Sequence, residues 1–246
     1  MFKFRDLTIV DITPENLMVI SCDSSGGIGD KDRDVIKVEP EFLGYYTTHC
    51  ALMELLATGA MPITIVNTLG VEMDDTGVRI INGIKNAIKP LDLKDDIVVT
   101  GSTEENIVVC QTSMGITIIG MIEKSKWRLK KAEVNDLVIV VGLPKVGQEV
   151  LDDMGRETMS VPLLLKLLKK PFVKEILPVG SKGIAYEIKE MAKTNKLDYN
   201  IYDNAAIDLH KSAGPSTCVI IAIDKDGYED LKISISVPVN IVGRFL

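Results

Sequence analysis

Short runs rich in β-branched residues recur at 17–22, 63–69, 97–100, 107–110 and 117–122, with two stretches of helical spacing between them. Runs of this length bounded by polar or glycine-containing turns read as strands. The first helical stretch covers about 41–58, with Tyr46, Cys50, Met53 and Ala57 on one stripe and Gly59 as its C-terminal stop. The second begins near Asp75, carries Val78, Ile81, Ile84 and Ile88, and ends before Pro90. After a charged stretch at 123–133 the pattern starts afresh. A buried strand at 137–142 is followed by helices at 147–154, 161–168 and 182–194, strands near Tyr199 and at 217–223, and two short alternating runs at 231–236 and 239–242. Strands and helices therefore mix in both halves, with antiparallel-looking neighbours at the ends. That pattern predicts an α+β fold in two domains rather than a doubly wound sheet.

A chain of 246 residues, 46% hydrophobic and 26% charged, has material for such cores and lies far from the composition of disordered segments. Its net charge of −7 would be repelled by phosphate backbones, so nucleic acid is excluded as an expected partner. The basic stretch at 124–131 around Trp127 reads as a solvated linker, and Lys166, Lys169 and Lys170 as one helix face. Cys22, Cys50, Cys110 and Cys218 stand far apart among apolar neighbours, which predicts buried free thiols in a reducing compartment rather than a disulfide or zinc framework. With no apolar leader and no run of membrane-spanning length, the expectation is a cytoplasmic protein without a membrane partner.

The chemistry concentrates where strands empty into small polar turns. After the run at 17–22 come Asp23, Ser24, Ser25, Gly26, Gly27, Gly29 and Lys31. Glycines let backbone N–H groups approach phosphate oxygens, and Asp23 could hold a magnesium ion bridging those oxygens. The competing reading is a turn whose Asp and Ser side chains satisfy the backbone. The loop has neither the P-loop spacing nor the dinucleotide fingerprint. Glu54 sits among apolar helix residues, as a partly buried carboxylate in want of a cation or as a surface glutamate. Gly101, Ser102, Thr103, Glu104 and Glu105 form a second strand-end turn with two carboxylates. Magnesium takes one or two protein carboxylates plus phosphates and water, so Asp23, Glu54 and one of Glu104 or Glu105 make a candidate set. The two histidines, His49 and His210, leave little room for a histidine-based site, and no catalytic side chain is assigned.

Taken in order, these segments resemble the PurM-like ATP-binding superfamily, which includes aminoimidazole ribonucleotide synthetase, thiamine monophosphate kinase and selenophosphate synthetase. Cys22-Asp-Ser-Ser-Gly-Gly-Ile-Gly-Asp-Lys resembles its strand-end Asp and glycine loop. The segment from Gly44 through Glu54 to Thr58-Gly-Ala-Met-Pro resembles its helix ending in a Gly-Ala-x-Pro turn. Thr100-Gly-Ser-Thr resembles its Gly-Gly-[Asp/Glu]-Thr turn, Ile118-Ile-Gly-Met the close of its N-terminal domain, and Asn135-Asp-Leu-Val-Ile-Val-Val-Gly the opening of its second. The resemblance implies a PurM-like fold of mixed or antiparallel sheets packed with helices, with an ATP- and Mg2+-binding domain at 1–125 and a C-terminal domain at 126–246. It also implies a homodimer with the nucleotide near the subunit interface. Asp23, Glu54 and Glu104 or Glu105 would hold the metal. Ser24, Gly26, Gly27, Gly29, Gly101, Ser102 and Thr103 would meet the nucleotide, with Lys31 and Lys37 as candidate phosphate contacts. Glu54 stands where relatives often have Asp, and Ser102 where they have a carboxylate. Within the superfamily, Asp-Ser-Ser-Gly-Gly-Ile-Gly, Ala-Leu-Met-Glu and Gly-Ser-Thr-Glu-Glu-Asn are most similar to the alpha-ribazole kinases, which phosphorylate the ribose 5′-hydroxyl of a nucleoside in salvage of the cobalamin lower ligand. Thiamine monophosphate kinase, an amide-activating cyclo-ligase and a non-catalytic nucleotide-binding protein are the alternatives.

Overall fold

The computed structural model describes residues 1–92, 97–128 and 130–246. They form two compact units, Met1–Lys126 and Trp127–Leu246. In the first unit the chain runs through β1 (Phe2–Phe4), β2 (Leu7–Asp11), β3 (Asn16–Gly26) and two short strands, β4 (Ile28–Gly29) and β5 (Ile36–Lys37). It then forms α1 (Pro40–Ala57), β6 (Met61–Leu69), a wide π-type turn at Met73–Gly77, α2 (Val78–Ile88), β7 (Val98–Ser102) and β8 (Ser113–Glu123). The six-stranded sheet has the order β1-β2-β3-β8-β6-β7, antiparallel except where β6 and β7 run parallel.

Period-two alternation decides which side of this sheet is covered. Leu17, Val19 and Ser21 of β3 and Met114, Ile116 and Ile118 of β8 are buried on the side where the Ser21 hydroxyl donates to the Ala51 carbonyl of α1 at 2.8 Å. Met18, Ile20, Ile119 and Met121 alternate with them and stay half-exposed.

Helix α1 lies between sheet and α2, which explains why residues around most of its circumference are buried instead of the single stripe the spacing suggests. The two helices meet with a glycine of each set against the backbone of the other. A Cβ at Gly44 would lie 2.1 Å from the Ile80 carbonyl oxygen, and one at Gly83 would lie 2.0 Å from that of Glu41. On α2 the buried residues are accordingly Ile80, Gly83, Ile84 and Ala87, while Val78 is 47% exposed. Gly59, at φ +84°, ends α1 where the sequence places the stop.

The second unit comprises β9 (Leu137–Val141), α3 (Gln148–Asp153), α4 (Val161–Leu168), β10 (Val173–Pro178), α5 (Ile184–Asn195), β11 (Tyr199–Ile201), β12 (Val219–Ile223), α6 (Tyr228–Ser234) and β13 (Val239–Phe245). Its five strands are antiparallel in the order β10-β12-β9-β13-β11. The two central strands are buried on both faces. Val138, Val140, Ile220 and Ala222 pack with Ile184, Ile188 and Met191 of α5, and Ile139, Val141 and Ile221 are equally buried on the other side. The whole is the mixed α+β architecture expected.

Two expected strands are not strands. Residues 107–110 form an exposed loop, with Val108 fully exposed, because the Glu104 carboxylate accepts from the Asn106 and Ile107 amides and turns the chain away from any partner edge. The run at 231–236 belongs largely to α6, anchored by fully buried Leu231 while Ile233 faces out. The thiols also depart from expectation, since Cys22 and Cys110 are exposed and Cys50 half-buried. Among the described residues no helix is long and apolar enough to cross a membrane.

Because a methyl group at Gly83 has only backbone to displace, Gly83→Ala is expected to cost at least about 2 kcal/mol of stability. Urea unfolding monitored at the single tryptophan would check this, and an unchanged midpoint would contradict the close helix contact.

Candidate functional site

Strand register aligns the two candidate turns at one end of the first unit's sheet. Asp23 pairs with Ile116, Ile116 with Asn67, and Asn67 with Gly101. The next row runs Ser24, Gly115, Thr68 and Ser102. Residues in one row face the same side, so Asp23 and Asn67 point towards α1, while Ser24, Thr68 and Ser102 are exposed on the opposite face. Three strand spacings, about 14 Å, separate Asp23 from Gly101.

Asp23 is half-buried against α1. Burial pushes its carboxyl above the ordinary range, and hydrogen bonds from the Cys50 thiol and the Ser24 amide only partly offset this.

The glycine loop after β3 is folded onto the start of β8. The Gly27 amide, at φ +73°, donates to the Thr112 carbonyl at 2.8 Å. Buried Asp34 accepts from the Thr112 amide (2.8 Å), the Thr112 hydroxyl (2.6 Å) and the Lys31 amide (3.0 Å). Gly29 is confined by the same pair, since a Cβ there would lie 2.5 Å from Thr112 Oγ1 and 2.7 Å from Asp34 Oδ2.

Both loop lysines have protein partners. Lys31 Nζ donates to the two Glu72 oxygens at 3.0 and 2.8 Å, and Lys37 Nζ donates to the Lys31 carbonyl. Burial pushes the Glu72 carboxyl up, but bonds from Lys31 and Thr76 outweigh it and hold the pKa at about 2.

Gly101 packs against Asn67, whose carbonyl oxygen would lie 2.1 Å from an added Cβ. Asn67 is buried and donates to the Thr100 carbonyl at 2.9 Å. In the turn that follows, Glu105 accepts from the Thr103 hydroxyl (2.7 Å) and the Met73 amide (2.8 Å), bonds that lower its pKa, and Glu104 caps the 106–107 amides.

Leu55 packs at Gly120, the row of Val19, whereas Cys50 meets Asp23, so α1 runs antiparallel to β3. Glu54 therefore sits one helical turn, about 6 Å, from Cys50 in the direction away from the glycine loop. His49 is buried, stacked with Tyr45 at 6.2 Å between ring centroids. Among the described residues no group of three or more His, Cys, Asp or Glu is placed to hold a metal ion.

The structure thus gathers Asp23, Ser24, Gly26, Gly27 and Gly29 at one sheet end, with Gly101, Ser102 and Thr103 three strands along the same end, and sets Glu54 one helical turn beyond the Cys50 that meets Asp23. Sequence reasoning missed Asn67, Asp34, Thr112 and Glu72. Asn67 alone had a visible signal, an amide inside the apolar run 63–69.

Residues 5–122 match the family model described as AIR synthase related protein, N-terminal domain. No curated protein is matched by the sequence. Among solved structures, the thiamine-monophosphate kinase from Stenotrophomonas maltophilia K279a superposes with a TM-score of 0.63 at 15% identity, over 98% of this chain and 89% of that one. HypE from E. coli, a hydrogenase maturation protein, gives 0.66 at 13% identity over 92% and 79%. PurL from T. maritima, complexed with ATP, gives 0.64 at 12% identity over 97% of this chain and 42% of PurL. The fold is PurM-like.

The resemblance noted in the sequence implies magnesium held together with a nucleotide. The donor set fits that case and not a protein-built cage. Asp23 is a desolvated carboxylate with no cationic partner among the causes of its shift, so a cation beside it would relieve the cost of its charge. Neither Glu104 nor Glu105 lies in that row, and both are committed to the loop around them.

The raised pKa sets a sign. Burial favours the protonated carboxyl in the folded state, so ionisation at neutral pH opposes folding, and the penalty shrinks as pH falls below the raised value and is gone below the ordinary carboxylate value of the unfolded chain. Asp23→Asn is therefore expected to raise the thermal midpoint of the unliganded protein at pH 7, with the gain vanishing in acid. A lower midpoint at pH 7 would show that the Asp23 charge supports the fold.

Proposed function

We propose that this chain is an ATP-dependent small-molecule kinase, and specifically that it phosphorylates the ribose 5′-hydroxyl of alpha-ribazole. The reading rests on the shared sheet end, where β3 delivers Asp23 into the glycine loop and β7 delivers Gly101 into the Ser102–Thr103 turn on the same edge. The strings most similar to alpha-ribazole kinases are those two turns and the α1 segment around Glu54.

In this reading residues 1–125 bind the nucleotide and residues 126–246 form the C-terminal PurM-like domain. Bound Mg2+ would neutralise the triphosphate and polarise the γ-phosphoryl group. Asp23 would offer the metal a half-buried carboxylate oxygen, and Gly26, Gly27 and Gly29 would bring backbone close to the phosphates. The Asp34–Thr112 bonds keep that backbone from rearranging as the nucleotide arrives. The chemistry needs positioning more than a protein nucleophile. Lys31 would have to exchange Glu72 for a phosphate oxygen. Ser102 supplies a hydroxyl rather than a carboxylate, leaving Asp23 to carry the metal.

A homodimer fits the same reading. Met18, Ile20, Ile119 and Met121 are half-exposed on the sheet face opposite α1, and a second copy would cover them. We place the protein in the cytoplasm, in keeping with its free thiols.

The deciding experiment incubates the purified protein with Mg-ATP and, separately, alpha-ribazole and thiamine monophosphate, scoring ADP and phosphorylated product. Alpha-ribazole phosphate is the expected product. ATP binding without turnover of either acceptor would favour the non-catalytic reading that Ser102 suggests, and turnover of thiamine monophosphate alone would move the protein to that kinase. Calorimetry with Mg-ATP tests the metal assignment independently: Asp23→Asn is expected to lose the magnesium-dependent part of the affinity, and an unchanged titration would remove Asp23 from the site.

A further inference from the structure

Arg79, in the first turn of α2, joins three segments of the first unit. Its Nη1 bonds Glu39 at 2.7 Å, just before α1, and its Nη2 bonds Asp30 in the glycine loop and approaches Asp75 at 3.1 Å. The side chain is 29% exposed and its Nε is buried. Asp30 and Glu39 bracket the segment that leads from the glycines to α1, so one guanidinium ties both ends of it to α2. The interior of the same segment is tied to β8 by Asp34 and Thr112. An isolated exposed ion pair would contribute little. Here a rigid, forked cation reaches carboxylates from three parts of the chain, an arrangement that a single ammonium does not reproduce.

We infer that Arg79 is a positioning residue: it straps residues 30–39 onto α2 and thereby holds the glycine loop in the shape that receives nucleotide. The inference rests on the nucleotide reading of that loop. It acts through the loop and not through phosphate contact, because the guanidinium is occupied by Asp30, Glu39 and Asp75.

The strap and a simple charge effect predict opposite outcomes for Asp30. If Arg79 only offset nearby negative charge, removing the Asp30 carboxylate would tighten the binding of an anionic nucleotide. If Arg79 acts as a strap, removing Asp30 loosens the loop and weakens binding.

The experiment titrates the full chain and its R79Q, R79K and D30A variants with AMPPCP and Mg2+ by calorimetry. It also follows hydrogen exchange of residues 27–39 without nucleotide. R79Q is expected to weaken AMPPCP about tenfold and D30A about threefold. Both should speed exchange in 27–39 while leaving β3 and β8 protected, and R79K should recover only part of the loss. D30A leaves α2 untouched, so it carries the test if R79Q does not fold. Wild-type affinity in R79Q, or tighter binding by D30A with unchanged exchange, would overturn the strap while the nucleotide reading stands. A wild-type chain that binds no AMPPCP overturns both, and its exchange pattern then shows whether Arg79 holds the loop for fold alone.

Discussion

The eleven-residue ladder between β3 and β8 is the interaction on which the first unit depends. It fixes the row in which Asp23 faces α1, and it presents Thr112, immediately before β8, as the post to which the glycine loop is attached. Gly27, Asp34 and the Lys31 amide all reach Thr112 directly or through one residue. A one-residue slip of this ladder would turn Asp23 to the open face and detach the loop from its anchor. Site geometry and sheet register are therefore one constraint.

Charge around the loop is arranged so that nearly every group has an answer close by. Lys31 is matched by Glu72, and Asp30, Glu39 and Asp75 converge on Arg79. Asp23 differs. It is half-buried against α1 beside the Cys50 thiol and the Ser24 amide, and burial raises its pKa. A carboxylate kept in such a place works against the resting fold when it is ionised, a cost that a nearby cation would relieve.

Much of the architecture could be read from residue order. The apolar runs at 17–22, 63–69 and 117–122 were visible because each alternates over a covered face, and the α1 stop because only glycine accepts φ +84° without strain. The runs at 107–110 and 231–236 misled because β-branched content signals a strand only when another strand is there to pair with it. Short β10, in residues 173–178, went unseen for the converse reason: its sequence is unremarkable, and pairing with β12 makes it a strand.

The sequence by itself determined the α+β class and the chemistry of the strand ends, since an aspartate followed by glycines carries its preferences locally. Only the tertiary structure decided which of those groups meet. Asp23 and Gly101 share a row because β8 and β6 lie between their strands in known register, Glu54 falls one turn beyond Cys50 because α1 runs antiparallel to β3, and Lys31 is held by Glu72 from forty-one residues along the chain. Distances between such segments depend on helix direction and strand order, which arise from burial of whole faces and leave no mark at a single residue.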